Sequence, residues 1–182
     1  MNNKILLVDD ETLVLMALKR ALYEEDLDIV TANSGEQALA LMKSERFKVI
    51  ISDERMPGMQ GSALLAQVRE LYPATIRMML TGHATLEAAM RAVNDGETFR
   101  FFSKPWNEQE LIFSIRCAIE KFDLEAENRK LLAIVQHQAK ELKDLEQRHP
   151  GIGKVQRDSD GAVVLTEMSE EERRSLLDSC RN

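Results

Sequence analysis

Apolar residues in this chain arrive in short runs, and the runs alternate with stretches of helical spacing. Ile5-Leu6-Leu7-Val8 is the first run and predicts a buried strand over residues 4–8. Helical spacing follows through Leu13, Met16, Ala17, Ala21 and Leu22. Residues 27–32 predict a second strand. Ser34-Gly35-Glu36-Gln37 then has the form of a capping box, with Ser34 as N-cap and Gln37 reaching back. The helix it opens carries Ala38, Leu41 and Met42 on one face. A third run, Val49-Ile50-Ile51, is followed by helical spacing at Leu64, Leu65, Val68 and Leu71 that stops before Pro73. Residues 76–80 predict a fourth strand, Leu86, Ala89, Met90 and Val93 a helix ended by Asp95-Gly96, and residues 99–102 a fifth strand. Strand and helix alternate five times, which implies an α/β fold with a parallel sheet and right-handed crossovers.

Three of the runs end in chemistry. Val8 leads into Asp9-Asp10-Glu11. Ile51 leads through Ser52 to Asp53 and a turn rich in Pro and Gly, Arg55-Met56-Pro57-Gly58-Met59-Gln60-Gly61. The fifth strand runs into Ser103-Lys104-Pro105-Trp106. In open α/β sheets the carboxyl edge of the strands is where ligands bind. Adjacent parallel strands would bring Asp9, Asp10 and Asp53 together there. Clustered carboxylates repel, so at least one pKa rises unless a cation neutralises them. An all-oxygen set suits a hard cation such as Mg²⁺.

The last helical stretch starts near Asn107 and continues to about Arg148 with no Gly or Pro. Leu111, Ile112, Ile115 and Ile119 can pack on the sheet. Beyond them Leu124, Asn128, Leu131, Val135, Gln138, Leu142 and Leu145 recur at alternating spacings of four and three, a heptad seam with Asn128 at an a position. A lone helix would expose that stripe, so it needs a partner. Leu132 and Ile134 widen the stripe beyond the a and d positions, and Glu141 faces Glu146 across a parallel pair. The expected partner is a second copy of the chain, parallel in preference to antiparallel; the chain's own tail is the alternative. Pro150-Gly151 ends the helix, residues 152–165 suggest a hairpin around Asp158-Ser159-Asp160-Gly161, and Ser169 opens a short acidic helix. The expected organisation is therefore a domain over residues 1–120, a coiled-coil extension over 121–149 and a short tail over 150–182.

Charge and cysteine content narrow the class. The formal net charge is −7, which argues against a nucleic-acid partner held by phosphate contacts. Cys117 and Cys180 lie far apart, without metal-ligand spacing, and imply a reducing compartment. No basic start joins a long apolar stretch, and no run of 18 apolar residues exists, so neither export nor membrane insertion is expected and the cytoplasm is the expected location.

Asp9-Asp10, Asp53, Thr81 and Lys104-Pro105, in this order and each at a strand end, resemble the receiver domain of bacterial two-component response regulators. The resemblance covers roughly residues 3–120. Its Arg-Met-Pro, Leu-Thr-Gly and Lys-Pro-Trp wording is similar to receivers often joined to HD-GYP phosphodiesterases or to transcription activators, and the 182 residues contain neither output. The resemblance implies a flavodoxin-like sheet of order 2-1-3-4-5. It implies Asp53 as phosphoacceptor, with Mg²⁺ held by Asp10, Asp53 and the backbone carbonyl of Arg55, and by Asp9 through a metal-bound water. It implies Lys104 and Thr81 on the phosphoryl oxygens and a cis peptide before Pro105. Phe101 matches the switch aromatic, although Phe99 and Phe102 compete for that role. Arg55 and His83, two residues beyond Asp53 and Thr81, are the residues expected to tune the lifetime of the phosphoryl group. A histidine kinase or phosphotransfer protein is the implied donor.

On this reading the phosphoryl group at Asp53 draws in Thr81, Phe101 turns inward, and the surface made by the helix over 86–93, the fifth strand and the last helix changes. The reaction is confined to the protein's own phosphorylation and dephosphorylation. Two rivals stand beside it. One is a receiver-fold scaffold that acts without phosphorylation. The other is a haloacid-dehalogenase-like phosphatase; that chemistry wants Asp-x-Asp-x-Thr after the first strand, which Asp9-Asp10-Glu11-Thr12 does not supply.

Overall fold

The computed structural model describes residues 3–82 and 99–148. Five strands, β1 (Lys4–Val8), β2 (Asp28–Ala32), β3 (Val49–Asp53), β4 (Ile76–Thr81) and β5 (Arg100–Ser103), form one parallel sheet in the order β2-β1-β3-β4-β5. Every residue of β3 is buried, and β1 is buried from Ile5 onward. Such continuous apolar runs belong to strands covered on both faces. The covering helices are α1 (Thr12–Ala21), α2 (Gly35–Ser44), α3 (Gly61–Leu71) and α4 (Glu108–Arg148).

The sheet separates two cores. Ile5, Leu7, Val49, Ile51, Met78, Leu80 and Phe102 face α1 and α4, meeting Leu15, Leu18, Leu111 and Ile115. On the opposite face Leu6, Val8, Ile50 and Met79 meet Ala38 and Met42 of α2 and Leu64, Leu65 and Val68 of α3. Each large aliphatic side chain withdrawn here contributes about 1.5–3 kcal/mol before entropy costs.

That energy decides the rotation of α1, and it corrects the sequence expectation. Leu13 and Met16 are 78 % and 62 % exposed, while Leu15, Leu18 and Leu22 are buried. The run Leu13-Val14-Leu15-Met16-Ala17-Leu18 holds two overlapping helical stripes. The sheet covers Leu15 and Leu18 together with Leu22, which the expected spacing includes. Leu71, part of the helical spacing that marks α3, is likewise exposed.

The Ser34 cap forms as expected, its side chain accepting from the Gln37 N–H. Gln37 reaches back one residue further than a strict capping box, accepting from the N–H of Asn33 at 2.7 Å. At the amino edge of the sheet Lys48 ties α4 down. Its Nζ donates to Asp123 Oδ2 at 2.6 Å and to Asn3 Oδ1 at 3.0 Å, 6.0 Å from the centroid of Phe122. Asp123 is half exposed, so the pair is worth nearer ~1 kcal/mol than the several of a fully buried one.

The chain divides into two compact units, Met1–Lys130 and Leu131–Asn182. The first holds the sheet. The described part of the second is the end of α4, where Leu131, Leu132, Ile134, Val135, Leu142 and Leu145 are 41–67 % exposed. Among the described residues no helix is long and apolar enough to cross a membrane. The expected helix over 86–93, the tail elements and His83 lie outside the described residues.

Candidate functional site

The registers place the chemistry. Val8 of β1 pairs with Ala32 and with Ser52, Asp53 of β3 pairs with Leu80, and Thr81 of β4 pairs with Ser103. Asp9, Asp53, Thr81 and Lys104 therefore share one carboxyl edge. Strand order reverses between β1 and β3, which is the point where doubly wound sheets open a crevice.

Lys104 sits at the centre of this group. Its Nζ lies 2.7 Å from Asp9 Oδ2 and 2.7 Å from Asp53 Oδ1. Its own N–H donates to the Thr81 carbonyl at 2.9 Å, which extends the β4–β5 ladder by one bond and fixes where the side chain starts. The peptide bond to Pro105 is cis, as the resemblance implied. The second oxygen of each acid is held by backbone. Asp9 Oδ1 accepts from the Glu11 N–H at 2.9 Å, and Asp53 Oδ2 from the Arg55 N–H at 2.8 Å.

Burial sets the electrostatics. Asp9 has no solvent exposure, and burial pushes its carboxyl above the usual range. The hydrogen bonds from Lys104 and Glu11 pull it down but do not cancel that push, and the charge of Asp53 adds to it. For Lys104 burial works downward, yet the hydrogen bonds to Asp53 and Asp9 outweigh it and hold the ammonium above the ordinary lysine value. One shared cation thus serves two acids.

The turn after β3 explains its glycines. Gly58 takes φ +77°, a left-handed conformation that suits a residue without Cβ. A Cβ on Gly61 would collide with the backbone carbonyl of Asp53. The amino end of α3 can therefore close directly behind the acid.

Glu54 completes that closure. Its N–H donates to the Leu80 carbonyl, its carbonyl accepts from Gly61, and its carboxylate accepts from the Ser62 N–H at 2.8 Å and the Ser62 hydroxyl at 3.0 Å. Sequence reasoning passed over Glu54. Its partner lies eight residues ahead across a turn, and no local spacing rule reports such a pair.

Three residues expected at the site are placed less centrally. Asp10 and Arg55 are exposed beside it. Phe101 is half buried, opposite Met79 in the register and packed on the α2–α3 core. Phe102 fills the other core, and Phe99 lies 39 % exposed with Lys121 Nζ 6.0 Å from its ring centroid. Of the three phenylalanines, Phe101 is the one on the α2–α3 face of the sheet. Thr81 is buried at the end of β4.

The acids do not form a ready-made metal cage. Among the described residues no three acid, histidine or cysteine side chains converge as a metal-binding group. What the edge offers instead is two buried carboxylates bridged by a lysine, with a third acid at the rim.

Comparison with known proteins fits this arrangement. The family model of the response regulator receiver domain matches residues 5–116. The hydrogenase transcriptional regulatory protein HoxA of Cupriavidus necator is 35 % identical over 127 residues, 70 % of this chain and 26 % of that protein. The chain spans between a quarter and a third of the length of the curated relatives it matches. Among solved structures, one described as adenylate cyclase from Rhodopirellula baltica superposes with a TM-score of 0.68 at 40 % identity, covering 73 % of this chain and 98 % of that one. The signal receiver domain of an HD domain-containing protein from Pseudomonas fluorescens gives 0.65 at 37 % identity, covering 69 % and 93 %.

Proposed function

The chain belongs to the response regulator receiver domain family, and from that premise we propose that it takes a phosphoryl group on Asp53 from a histidine kinase or phosphotransfer protein and passes the signal on through α4. The observation that carries this reading is the pair of 2.7 Å contacts from Lys104 to Asp9 and Asp53 at the strand-order switch. An Asp53 carboxylate oxygen attacks phosphorus, the bond from phosphorus to the donor breaks, and an acyl phosphate results. Lys104 then turns from the Asp53 oxygen to a phosphoryl oxygen, and Thr81 donates its hydroxyl to another.

Incubation of the protein with acetyl phosphate and Mg²⁺ is expected to add the mass of one phosphoryl group, recovered on the peptide holding Asp53. Uptake on any other peptide overturns the assignment.

The donor set suits a hard divalent cation, because Asp9, Asp10, Asp53 and the Arg55 carbonyl offer oxygen alone and Asp9 and Asp53 share the one Lys104 ammonium. In the proposed assignment Asp10, Asp53 and the Arg55 carbonyl hold Mg²⁺ directly, and Asp9 does so through water. Bound there, the ion would offset charge on the transferring phosphoryl group. Asp10→Ala is expected to weaken Mg²⁺ binding at least tenfold, roughly the loss of one direct ligand; an unchanged titration removes Asp10 from the set.

Arg55 and His83 shield the acyl phosphate from in-line water. Changing both to alanine is expected to shorten the half-life of the phosphorylated protein, read by loss of label with time. An equal or longer half-life ends the shielding argument.

The signal leaves by a two-state shift. Movement of Thr81 towards the phosphoryl group opens room for Phe101, half buried two strand residues before Ser103. The exposed stripe from Leu124 to Leu145 pairs two copies of the chain. The reaction is limited to the protein's own phosphorylation cycle. HoxA is described as a transcriptional regulator, and its likeness to this chain spans a quarter of its length. A scaffold that works without phosphate is the second reading, and an unlabelled Asp53 in the acetyl phosphate experiment would favour it.

A further inference from the structure

The charges beside the seam carry an orientation. With Asn128 at a, the d positions are Leu124, Leu131, Gln138 and Leu145. The g positions are Glu120, Glu127, Ile134, Glu141 and Arg148, and the e positions are Glu125, Leu132, Ala139 and Glu146. All of them lie in the single helix α4.

In a parallel pair each g residue faces the e residue five further on in the partner. That sets Glu120 against the partner's Glu125 and Glu141 against the partner's Glu146, each twice by symmetry. Leu132 then faces the partner's Glu127. No pair of opposite charges forms.

An antiparallel pair sets g against g and e against e. The register that matches amide with amide pairs Leu131 with the partner's Val135, Asn128 with the partner's Gln138, and Leu124 with the partner's Leu142; at its outer layer the aliphatic stem of Lys121 lies along the partner's Leu145 with the ammonium in solvent. Sliding the register by one heptad in either direction puts an amide against an apolar residue: Asn128 against the partner's Leu131, or Gln138 against the partner's Val135.

In the matched register Leu132 meets its own copy, and so does Ile134. These are the two residues that widen the stripe, at 55 % and 53 % exposure, and the arrangement gives both an apolar partner. Glu120 meets the partner's Arg148. One like-charged pair remains, Glu127 with the partner's Glu141, where the parallel pair has two. Asn128 and Gln138 each carry a donor and an acceptor and satisfy one another across the interface.

The surface of the first unit supports the same placement. A groove of about 530 Å³ flanks the start of the seam, and Leu124 lines it together with Glu25, Asp26, Glu120 and Glu127. Glu25 is already paired with Arg116 at 2.8 Å. Asp26, Glu120 and Glu127 leave the groove acidic. In the matched register the partner's helix end, residues 142–148, runs past Leu124 and brings Arg148 to this acidic wall.

We propose that two copies of the chain pair antiparallel through α4, in the register that sets Asn128 against the partner's Gln138, so that each helix end docks in the acidic groove of the other copy. The proposal rests on the dimer reading given above and reverses the parallel preference drawn from the sequence.

Cysteine cross-linking of the full chain tests it, in a background with Cys117→Ser and Cys180→Ser. In the proposed register the two Asn128 positions are ten residues apart along the axis, about 15 Å, far outside disulfide reach. Asn128→Cys alone and Gln138→Cys alone are therefore expected to stay uncross-linked under mild oxidation. An exchanged equimolar mixture of the two is expected to yield covalent dimer as its main product. Ile134→Cys leaves the polar layer intact and is expected to cross-link to itself.

Covalent dimer from Asn128→Cys alone overturns the orientation. A dimer by light scattering that cross-links in none of these combinations overturns the register. A parent protein that is monomeric by light scattering overturns the dimer reading itself.

Discussion

Asp53→Asn protein is expected to take up no phosphoryl group from acetyl phosphate and Mg²⁺, while keeping its fold. The first half follows from chemistry. An amide oxygen is too weak a nucleophile to attack phosphorus, and Asp9, the other buried acid of this edge, has no solvent exposure through which a donor could reach it. The second half follows from the contacts. The asparagine side chain keeps an oxygen to accept from the Arg55 N–H, which lies 2.8 Å from Asp53 Oδ2 in the parent. Lys104 keeps its 2.7 Å partner in Asp9, so no buried ammonium is stranded. The net change in stability is expected to stay within about 1.5–3 kcal/mol, the scale of one hydrogen bond to a charged group. Mass spectrometry reads the label and a thermal melt reads the fold. Label on Asp53→Asn protein equal to that on the parent would remove Asp53 from the role of acceptor.

The second large effect concerns assembly. Leu131→Asp combined with Leu142→Asp is expected to turn a dimer into a monomer whose Asp53 still labels. Both residues lie on the seam in either helix orientation, at 55 % and 67 % exposure in the single chain. Each leucine loses roughly 1.5–3 kcal/mol of burial in the pair. A symmetric dimer loses four such contributions and acquires four carboxylates at its apolar centre. Micromolar affinity corresponds to about 8 kcal/mol, so nothing of it survives. Light scattering reads the mass, and acetyl phosphate labelling shows that the receiver is intact. Parent and variant with the same mass would show that the stripe does not mediate association.

Much of the fold was legible because its signals are local. The runs at Ile5-Leu6-Leu7-Val8 and Val49-Ile50-Ile51 can be neither loops nor amphipathic helices, and an acid closing each run marks the sheet edge. The rotation of α1 was not legible, because two apolar stripes overlap between Leu13 and Leu18 and only the sheet chooses between them. At the site, Asp9, Asp53, Thr81 and Lys104 could be placed at one edge from their positions at strand ends. That Lys104 bridges Asp9 and Asp53 could not, since the contact spans 95 residues and depends on β5 lying beyond β4. The Lys48–Asp123 tie, 75 residues apart, was hidden for the same reason, and the Glu54 closure because a pair across a turn follows no local spacing rule.

The order of the strands has a mechanical side. β1 and β3, which deliver Asp9 and Asp53, each have neighbours on both flanks, whereas β5, which carries Phe101 and leads into Lys104, is bonded among the described residues to β4 alone. Displacing β3 would break two ladders; displacing β5 strains one. Asp53 is thus mounted on a strand that two ladders hold, and Phe101 on a strand at the edge of the sheet. If Asp53 takes the phosphoryl group as proposed, the resulting change of charge reaches, through Lys104, an edge strand that a loop over residues 104–107 joins to α4.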